Sequence, residues 1–454
     1  MRNTDTICAL ATASGGALGI IRVSGTNSYS VVLHILKDKP NTFPPNTVHY
    51  NQVVNADGEI IDEVMVSSFR APHSYTGEDS IEIACHGSTY IIRQILNLLV
   101  ANGCRMANPG EYTMRAYLNG KMDLSQAEAV ADLIASTNRA THQMAMSQLR
   151  GVFSSELSTL REKLLKLTSL LELELDFSDH EDLEFADRKE LMELAQTIES
   201  RIKSLAHSFE TGQAIKQGIP VAIVGKTNVG KSTLLNRLLK DDRAIVSEIH
   251  GTTRDTIEDT IDINGITFRF IDTAGIRQTQ DTIEQIGINR TYQAIEKASI
   301  ILWLIDNNPS LEELREIQGH CEGKSLIIIQ NKIDKEKTIH LSHIDLFSPP
   351  FITISAKYDT NIDALEKMIF QVANIPEIKE NDIIVTNARH YEALMQAQGN
   401  IQRVIEGLSM ELSGDLIAED LRLILSDLSE ITGEGQITPQ ETLNNIFSHF
   451  CVGK

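Results

Sequence analysis

Residues 225–232 read Gly-Lys-Thr-Asn-Val-Gly-Lys-Ser, the Gly-x4-Gly-Lys-Ser spacing whose backbone N–H groups curl around phosphate oxygens. The apolar run IPVAIV precedes them and the helical run STLLNRLLK follows, so a helix start adds its dipole at the anion. In that setting Lys231 reaches the β- and γ-phosphates and the Ser232 hydroxyl serves Mg2+. Three further segments follow in order. Asp272-Thr273-Ala274-Gly275 ends a strand, where the Asp holds the magnesium shell through water and the Gly N–H senses the γ-phosphate. Asn331-Lys332-Ile333-Asp334 ends another, and the Asp334 carboxylate can accept from the N1–H and 2-amino groups of guanine; adenine offers neither donor. Ser355-Ala356-Lys357 closes the last strand and can present a backbone N–H to guanine O6. Each segment alone is a weak signal; the ordered set specifies GTP rather than ATP.

Hydrolysis needs a group that orients water. Many regulatory GTPases place a Gln directly after the Asp-x-x-Gly segment, but Ile276 stands there and cannot do it. Glu284, in DTIEQIGINR, could reach the water directly or through a second one. On the residues alone, an ordinary exposed helix carboxylate is the plainer reading. The Asn228 amide oxygen could ligate a monovalent cation beside the phosphates, supplying positive charge where other systems insert an arginine. Of the five cysteines, Cys8, Cys85, Cys104 and Cys321 read as packing residues. The odd number and the lack of any CxxC pair argue for reduced thiols and against structural zinc. Cys451 lies in the polar terminal run HFCVGK. Its thiolate could act as a nucleophile, or the run could be a docking tail. His86 reads as a turn or core histidine.

The elements that must position these groups follow a consistent pattern. Five β-branched runs between residues 219 and 356 alternate with helix-length segments, which implies a parallel sheet covered on both faces. Asn264-Gly265 between DTIDI and ITFRF signals a hairpin and one antiparallel edge pair. Before residue 120, GIIRVSG and SIEIACHG read as strands and Tyr90–Val100 as a helix, an α+β domain. Leu157, Leu160, Leu164, Leu167, Leu171 and Leu175 line one side of a bundle helix. A second helix runs from about Lys189 to Phe209, after the acidic run DFSDHEDLEF. The helical pattern returns after about residue 381, so the α/β unit reads as an insertion into an all-helical domain.

The chain's 454 residues, at roughly 150 per domain, fit about three domains. The longest apolar run seen, Ile300–Ile305, is far short of the roughly 20 residues that span a bilayer. MRNTDTICALATASGG has neither a positively charged start nor a long apolar segment, so a cytoplasmic protein is expected. A formal net charge of -21 repels nucleic acid over most of the surface, so an RNA partner must meet a local basic patch.

Taken with GIIRVSG, YTGED, Gly251-Thr252-Thr253-Arg254-Asp255, NPGEYTMRAYLNGKMDLSQAEAVADLI and the terminal HFCVGK, these motifs resemble the MnmE (TrmE) family of tRNA-modification GTPases, from about residue 5 to Lys454. The resemblance implies a multidomain fold: an α+β tetrahydrofolate-binding and dimerisation domain over 1–119, a helical domain over 120–213 and 380–454, and a Ras-like P-loop GTPase domain over 214–379 inserted into it. By position, GTP would meet Asn228, Val229, Gly230, Lys231, Ser232 and Thr233, then Ser247, Glu248, Ile249, His250, Gly251, Thr252 and Thr253. It would also meet Asp272, Thr273, Ala274, Gly275, Asn331, Lys332, Ile333, Asp334, Ser355, Ala356 and Lys357. Ser232 and Thr253 would serve Mg2+, and Asn228, Ser247, Ile249 and Thr252 would hold K+. His250 stands in the potassium loop where the family usually has a small residue. The resemblance gives Glu284 the general-base role. A 5-formyl- or methylene-tetrahydrofolate would be held by Arg22, Glu78, Lys121 and Lys454, as one-carbon donor for C5 of the wobble uridine of certain tRNAs. The chain would act as a homodimer with the flavin- and NADH-dependent partner MnmG. A GTP-dependent RNA-binding switch in ribosome assembly shares the nucleotide motifs, but needs a basic RNA-binding domain that this chain lacks in its composition. A folate-dependent methyltransferase with a regulatory G domain is the third reading.

Overall fold

The computed structural model describes residues 5–40, 43–176, 188–239, 259–271, 292–335, 349–376, 382–433, 440–448 and 450–453. Two compact units divide the chain. One comprises Met1–Ala135, Ala145–Lys203 and Glu392–Lys454, the other Ser136–Met144 and Ser204–Tyr391.

In the first unit, β1 (Thr6–Leu10), β2 (Leu18–Ser24), β3 (Thr47–Val54), β4 (Ile60–Phe69), β5 (Ser80–His86) and β6 (Cys104–Met106) form a sheet in the order β3-β4-β5-β2-β1-β6. Only β1 and β6 run parallel among these pairs. Alternating burial along β4 turns Val64 and Val66 inward beside Ile21, Val23, Ile81 and Ile83, as period-two side chains require. Helices α1 (Ser28–Ile35) and α2 (Thr89–Ala101) cover that face with Ile35, Ile95 and Leu99. The helix expected at Tyr90–Val100 is therefore α2, although it is one-sided: Tyr90 and Val100 are exposed. Cys8, Cys85 and Cys104 are packed in this core. His86 departs from expectation. It ends β5 with its side chain largely exposed, and Nδ1 lies 2.7 Å from Asp62 Oδ1.

The helices that follow are α3 (Glu111–Leu118), α4 (Leu124–Ala135), α5 (Arg139–Leu149), α6 (Val152–Asp176) and α7 (Arg188–Gln217). The leucine stripe is the buried side of α6: Leu157, Leu160, Leu164, Leu167 and Leu171 are all in the core. The Leu175 side chain and the acidic run from residue 177 lie outside the described residues.

In the second unit the order is β12-β11-β10-β7-β9-β8, built from β7 (Ile219–Val224), β8 (Asp259–Ile263), β9 (Ile266–Phe270), β10 (Ile300–Ile305), β11 (Ser325–Gln330) and β12 (Phe351–Thr353). All pairs are parallel except β8 with β9 at the edge. Asn264 and Gly265 both have positive φ, 55° and 83°, the backbone of a type I′ hairpin turn. Every residue of β10 is buried, because apolar layers lie on both faces of the sheet. Its helices are α8 (Lys231–Leu238), α9 (Leu311–His320) and α10 (Ile362–Val372). Beyond it, α11 (Ala388–Ser409), α12 (Gly414–Thr432) and α13 (Gln440–Ser448) complete the chain. α12 packs against α6, so helices from before and after residues 204–391 share one unit. Among the described residues no helix is long and apolar enough to cross a membrane.

Candidate functional site

The chain leaves β7, turns through residues 225–230 and enters α8 at Lys231. Gly230 takes φ 105° at the helix N-cap, and a Cβ there would stand 2.3 Å from Asn331 Nδ2, so both the backbone and the space call for glycine. Lys231 Nζ donates to the carbonyls of Gly225 (2.5 Å) and Lys226 (2.8 Å). Burial lowers its pKa, so an anion arriving in the loop would relieve a partly desolvated ammonium. Ser232 sits in the same first helical turn, Thr233 is exposed beside it, and the Val229 side chain is buried beneath the loop.

Asn331 ties the loop to the segment expected to meet the base. Its Nδ2 donates to Val229 O at 2.8 Å, and its Oδ1 accepts from the Ala356 N–H at 3.0 Å. Lys332, at φ 64°, donates Nζ to Asn228 O and to Asp306 Oδ2. Ile333 and Asp334 form a 3-10 turn with Lys335. Asp334 Oδ1 accepts from the Ser355 hydroxyl at 2.7 Å, which holds its carboxyl below the usual range. Lys357 points its ammonium over the Tyr358 ring. The structure therefore joins Asn228, Val229, Asn331, Lys332, Asp334, Ser355 and Ala356 in one bonded cluster, with Gly230 and Lys231 in the same loop. Sequence reasoning missed Arg237, which donates from α8 to the carbonyls of Ala356 (3.1 Å) and Lys357 (3.0 Å). Ser247, Glu248, Ile249, His250, Gly251, Thr252, Thr253, Asp272, Thr273, Ala274, Gly275 and Glu284 lie outside the described residues.

A second group of expected residues meets in the first unit. Arg22 on β2 is cross-strand from Glu82 on β5 and donates Nε to Glu82 Oε1 at 2.9 Å. Its guanidinium stands 5.4 Å from the Tyr75 ring centre and 5.6 Å from that of Tyr112, and it reaches the Gly453 carbonyl at 3.4 Å. The Cys451 side chain is exposed, with its carbonyl accepting from Gly110 N–H. The tail therefore lies beside Arg22; Lys454 is outside the described residues. Glu78 accepts from Ser24 Oγ (2.9 Å) and from Arg115 (3.2 and 3.3 Å). Arg115 is itself buried and pairs with Asp5 and Glu111. Burial pushes the Glu111 carboxyl up, but Arg105, the Asn108 N–H and Arg115 outweigh it and hold its pKa below the ordinary value. Lys121 donates to Pro72 O at 2.9 Å, and its stem lies where a Gly77 Cβ would touch it. The Arg115 network joins residues far apart in sequence, and no spacing pattern announced it.

A P-loop cradle bonded to an Asn-Lys-x-Asp turn, in an α/β unit carried within a helical chain behind an α+β domain, defines a multidomain P-loop GTPase. Residues 124–451 match the family model for the MnmE helical domain, and residues 6–121 match the one for the N-terminus of the GTP-binding protein TrmE. Proteins called tRNA modification GTPase MnmE from Phocaeicola vulgatus and Bacteroides thetaiotaomicron are 55% and 54% identical to this chain, with all of each chain covered. The protein of that name from Christiangramia forsetii is 50% identical, again with both chains fully covered. The chain belongs to the MnmE (TrmE) family.

Proposed function

We propose that this chain hydrolyses GTP in the cytoplasm. With MnmG, it would build the carboxymethylaminomethyl or aminomethyl group at C5 of the wobble uridine of certain tRNAs. The observation that carries the nucleotide half is the Asn331 side chain, bonded at once to the phosphate loop and to the Ser355-Ala356-Lys357 segment. Through it, phosphate and base contacts are held in one frame, with the Asp334 carboxylate fixed by Ser355. Lys231 exchanges its loop carbonyls for β- and γ-phosphate oxygens. The Ser355-Ala356-Lys357 segment would present a backbone N–H to guanine O6.

Mg2+ suits the hydroxyls of Ser232 and Thr253, and K+ suits the neutral oxygens of Asn228, Ser247, Ile249 and Thr252, since a large monovalent ion favours uncharged carbonyl-type ligands. Asn228 fits that part in its left-handed conformation at φ 62°, which turns the chain sharply at the loop's rim. Glu284 orients the attacking water in place of the missing Gln. Tetrahydrofolate, when bound, supplies the one-carbon unit. Arg22, already flanked by two aromatic rings, and Lys121 suit its carboxylates; Glu78 keeps lone pairs for the aminopyrimidine, and Lys454 would close the site. Cys451 stands exposed next to Arg22's tail contact, suited to attack on uracil C6. A homodimer is supported by β3, an edge strand that exposes Val48 and Tyr50 beside Met65 of β4, the kind of edge a second copy can cover.

Two measurements test the reading. Nucleosides from tRNA of cells lacking this chain should lose the 5-aminomethyl-type wobble uridines, and an unchanged profile would overturn it. GTP turnover by the purified chain should be much faster in KCl than in NaCl at equal ionic strength; equal rates remove potassium from the site.

A further inference from the structure

Arg237 belongs to none of the nucleotide motifs, yet it makes two directed bonds at the site's edge. Its Nε donates to Ala356 O at 3.1 Å and its Nη2 to Lys357 O at 3.0 Å, a guanidinium fork on two successive carbonyls. The Asp359 carboxylate lies 3.8 Å from Nε and balances the charge. Ala356 is fully buried and gives its own N–H to Asn331. The peptide units on either side of Ala356 are therefore gripped from opposite directions, one by the end of β11 and the other by α8. Just past β12, Ile354 donates its N–H to Gln330 O at 2.7 Å and accepts from the Ile333 N–H at 3.3 Å. From Ser355 on, among the described residues, the loop's backbone-to-backbone bonds are the Ser355–Thr360 bridge and short turns.

From this geometry we infer that Arg237 is a positioning residue for base selection. The helix that carries it begins at Lys231, so Arg237 fastens the 355–357 loop to the rigid body that grips the phosphates. Its effect passes to Asp334 as well, because Ser355, next in the loop, fixes the Asp334 carboxylate. Without the fork the loop must be ordered by the ligand itself, and that ordering cost falls on the ligand's base contacts. Lysine, a flexible point charge without the planar fork, would hold the two carbonyls less rigidly. The inference rests on reading residues 331–334 and 355–357 as the guanine site, and the experiment separates the two.

Binding of GDP and IDP to the full chain, with Mg2+ present, is measured for the wild type, Arg237→Ala and Arg237→Lys, with thermal melting of each. IDP keeps every phosphate of GDP, its O6 and its N1–H, and lacks the 2-amino group, so the GDP-to-IDP ratio reports the 2-amino contact to Asp334. Arg237→Ala should weaken GDP about tenfold, as expected for the loss of two charge-assisted bonds, and shrink that ratio. Arg237→Lys should fall between. An equal loss for GDP and IDP with a lowered melting temperature would make Arg237 a fold-stabilising residue and overturn the inference, as would unchanged GDP affinity. In the wild-type background, Asp334→Asn should move preference from GDP to XDP. If it still favours GDP, the assignment of the base site fails, whatever Arg237 does.

Discussion

Arg115 and Glu111 face each other at 3.0 Å with almost no solvent on either side chain, and Glu111 also takes Arg105 at 2.6 Å. Removing one member leaves buried guanidinium without its full complement, which costs more than the pair contributes. Glu111→Ala should therefore destabilise the chain by about 3 kcal/mol, read from urea melts. The pH dependence has a definite sign. The folded-state pKa of Glu111 is depressed, so its contribution is complete above the ordinary glutamate value of about 4.3 and is lost as pH falls through the lower folded value. Asp5 is shifted the same way, its Arg105 and Arg115 partners outweighing burial. Acid melts below about pH 4 should drop steeply in the wild type and less steeply in Glu111→Gln; parallel slopes would disconnect the network from acid stability. None of this was visible in the sequence. Asp5, Glu78, Arg105, Glu111 and Arg115 are scattered over 111 positions, and the pairing of β1 with β6 and of β2 with β1 and β5 gathers them. The phosphate loop was readable because its chemistry depends on neighbours in the chain. Arg237 was not, since a basic residue on a short helix looks the same whether it faces water or two carbonyls.

Elements with a strong period were read correctly, and the errors came where a tertiary contact overrides a local signal. The α6 stripe follows directly from leucines three and four apart, and the Asn264-Gly265 turn from its residue types. The helix expected to end near Phe209 instead continues as α7 to Gln217. Gly212 looks like a terminator, but it serves packing. A Cβ there would lie 2.1 Å from Val385 O, and next to it Gln213 Nε2 donates to Thr386 O at 2.9 Å. One turn earlier Ser208 Oγ accepts from Val385 N–H, and the Phe209 ring stacks on Tyr391 at 4.3 Å. The glycine lets the segments entering and leaving the α/β sequence lie side by side. Gly212→Ala, which usually stabilises a helix by up to about 1 kcal/mol, should here destabilise by at least that amount, because backbone must move. A rise in melting temperature would show the close approach to be unimportant.

For the whole molecule, the proposed homodimer must form between strongly acidic chains. Sixty-two acidic against 41 basic residues make every self-contact carry a repulsive background, so a stable homodimer needs an apolar patch to outweigh it. β3 offers one at the sheet edge, where Leu36 and Lys37 pair with Val53 and Gln52 at one end: Val48 and Tyr50 are 57% and 59% exposed, and Met65, cross-strand from Tyr50, is 45% exposed. Charge blunts part of that face, where Lys37 and Glu63 both bond to Gln52, and the three apolar side chains lie beside it. If this edge is where copies meet, Tyr50→Lys puts a cation into the contact on each side of the two-fold axis without disturbing the core, since Tyr50 faces away from it. Light scattering at micromolar concentration should then report one chain's mass for Tyr50→Lys and two for the wild type, with raised salt strengthening the wild-type dimer by screening the background repulsion. A Tyr50→Lys chain that keeps the two-chain mass would remove this edge from the contact.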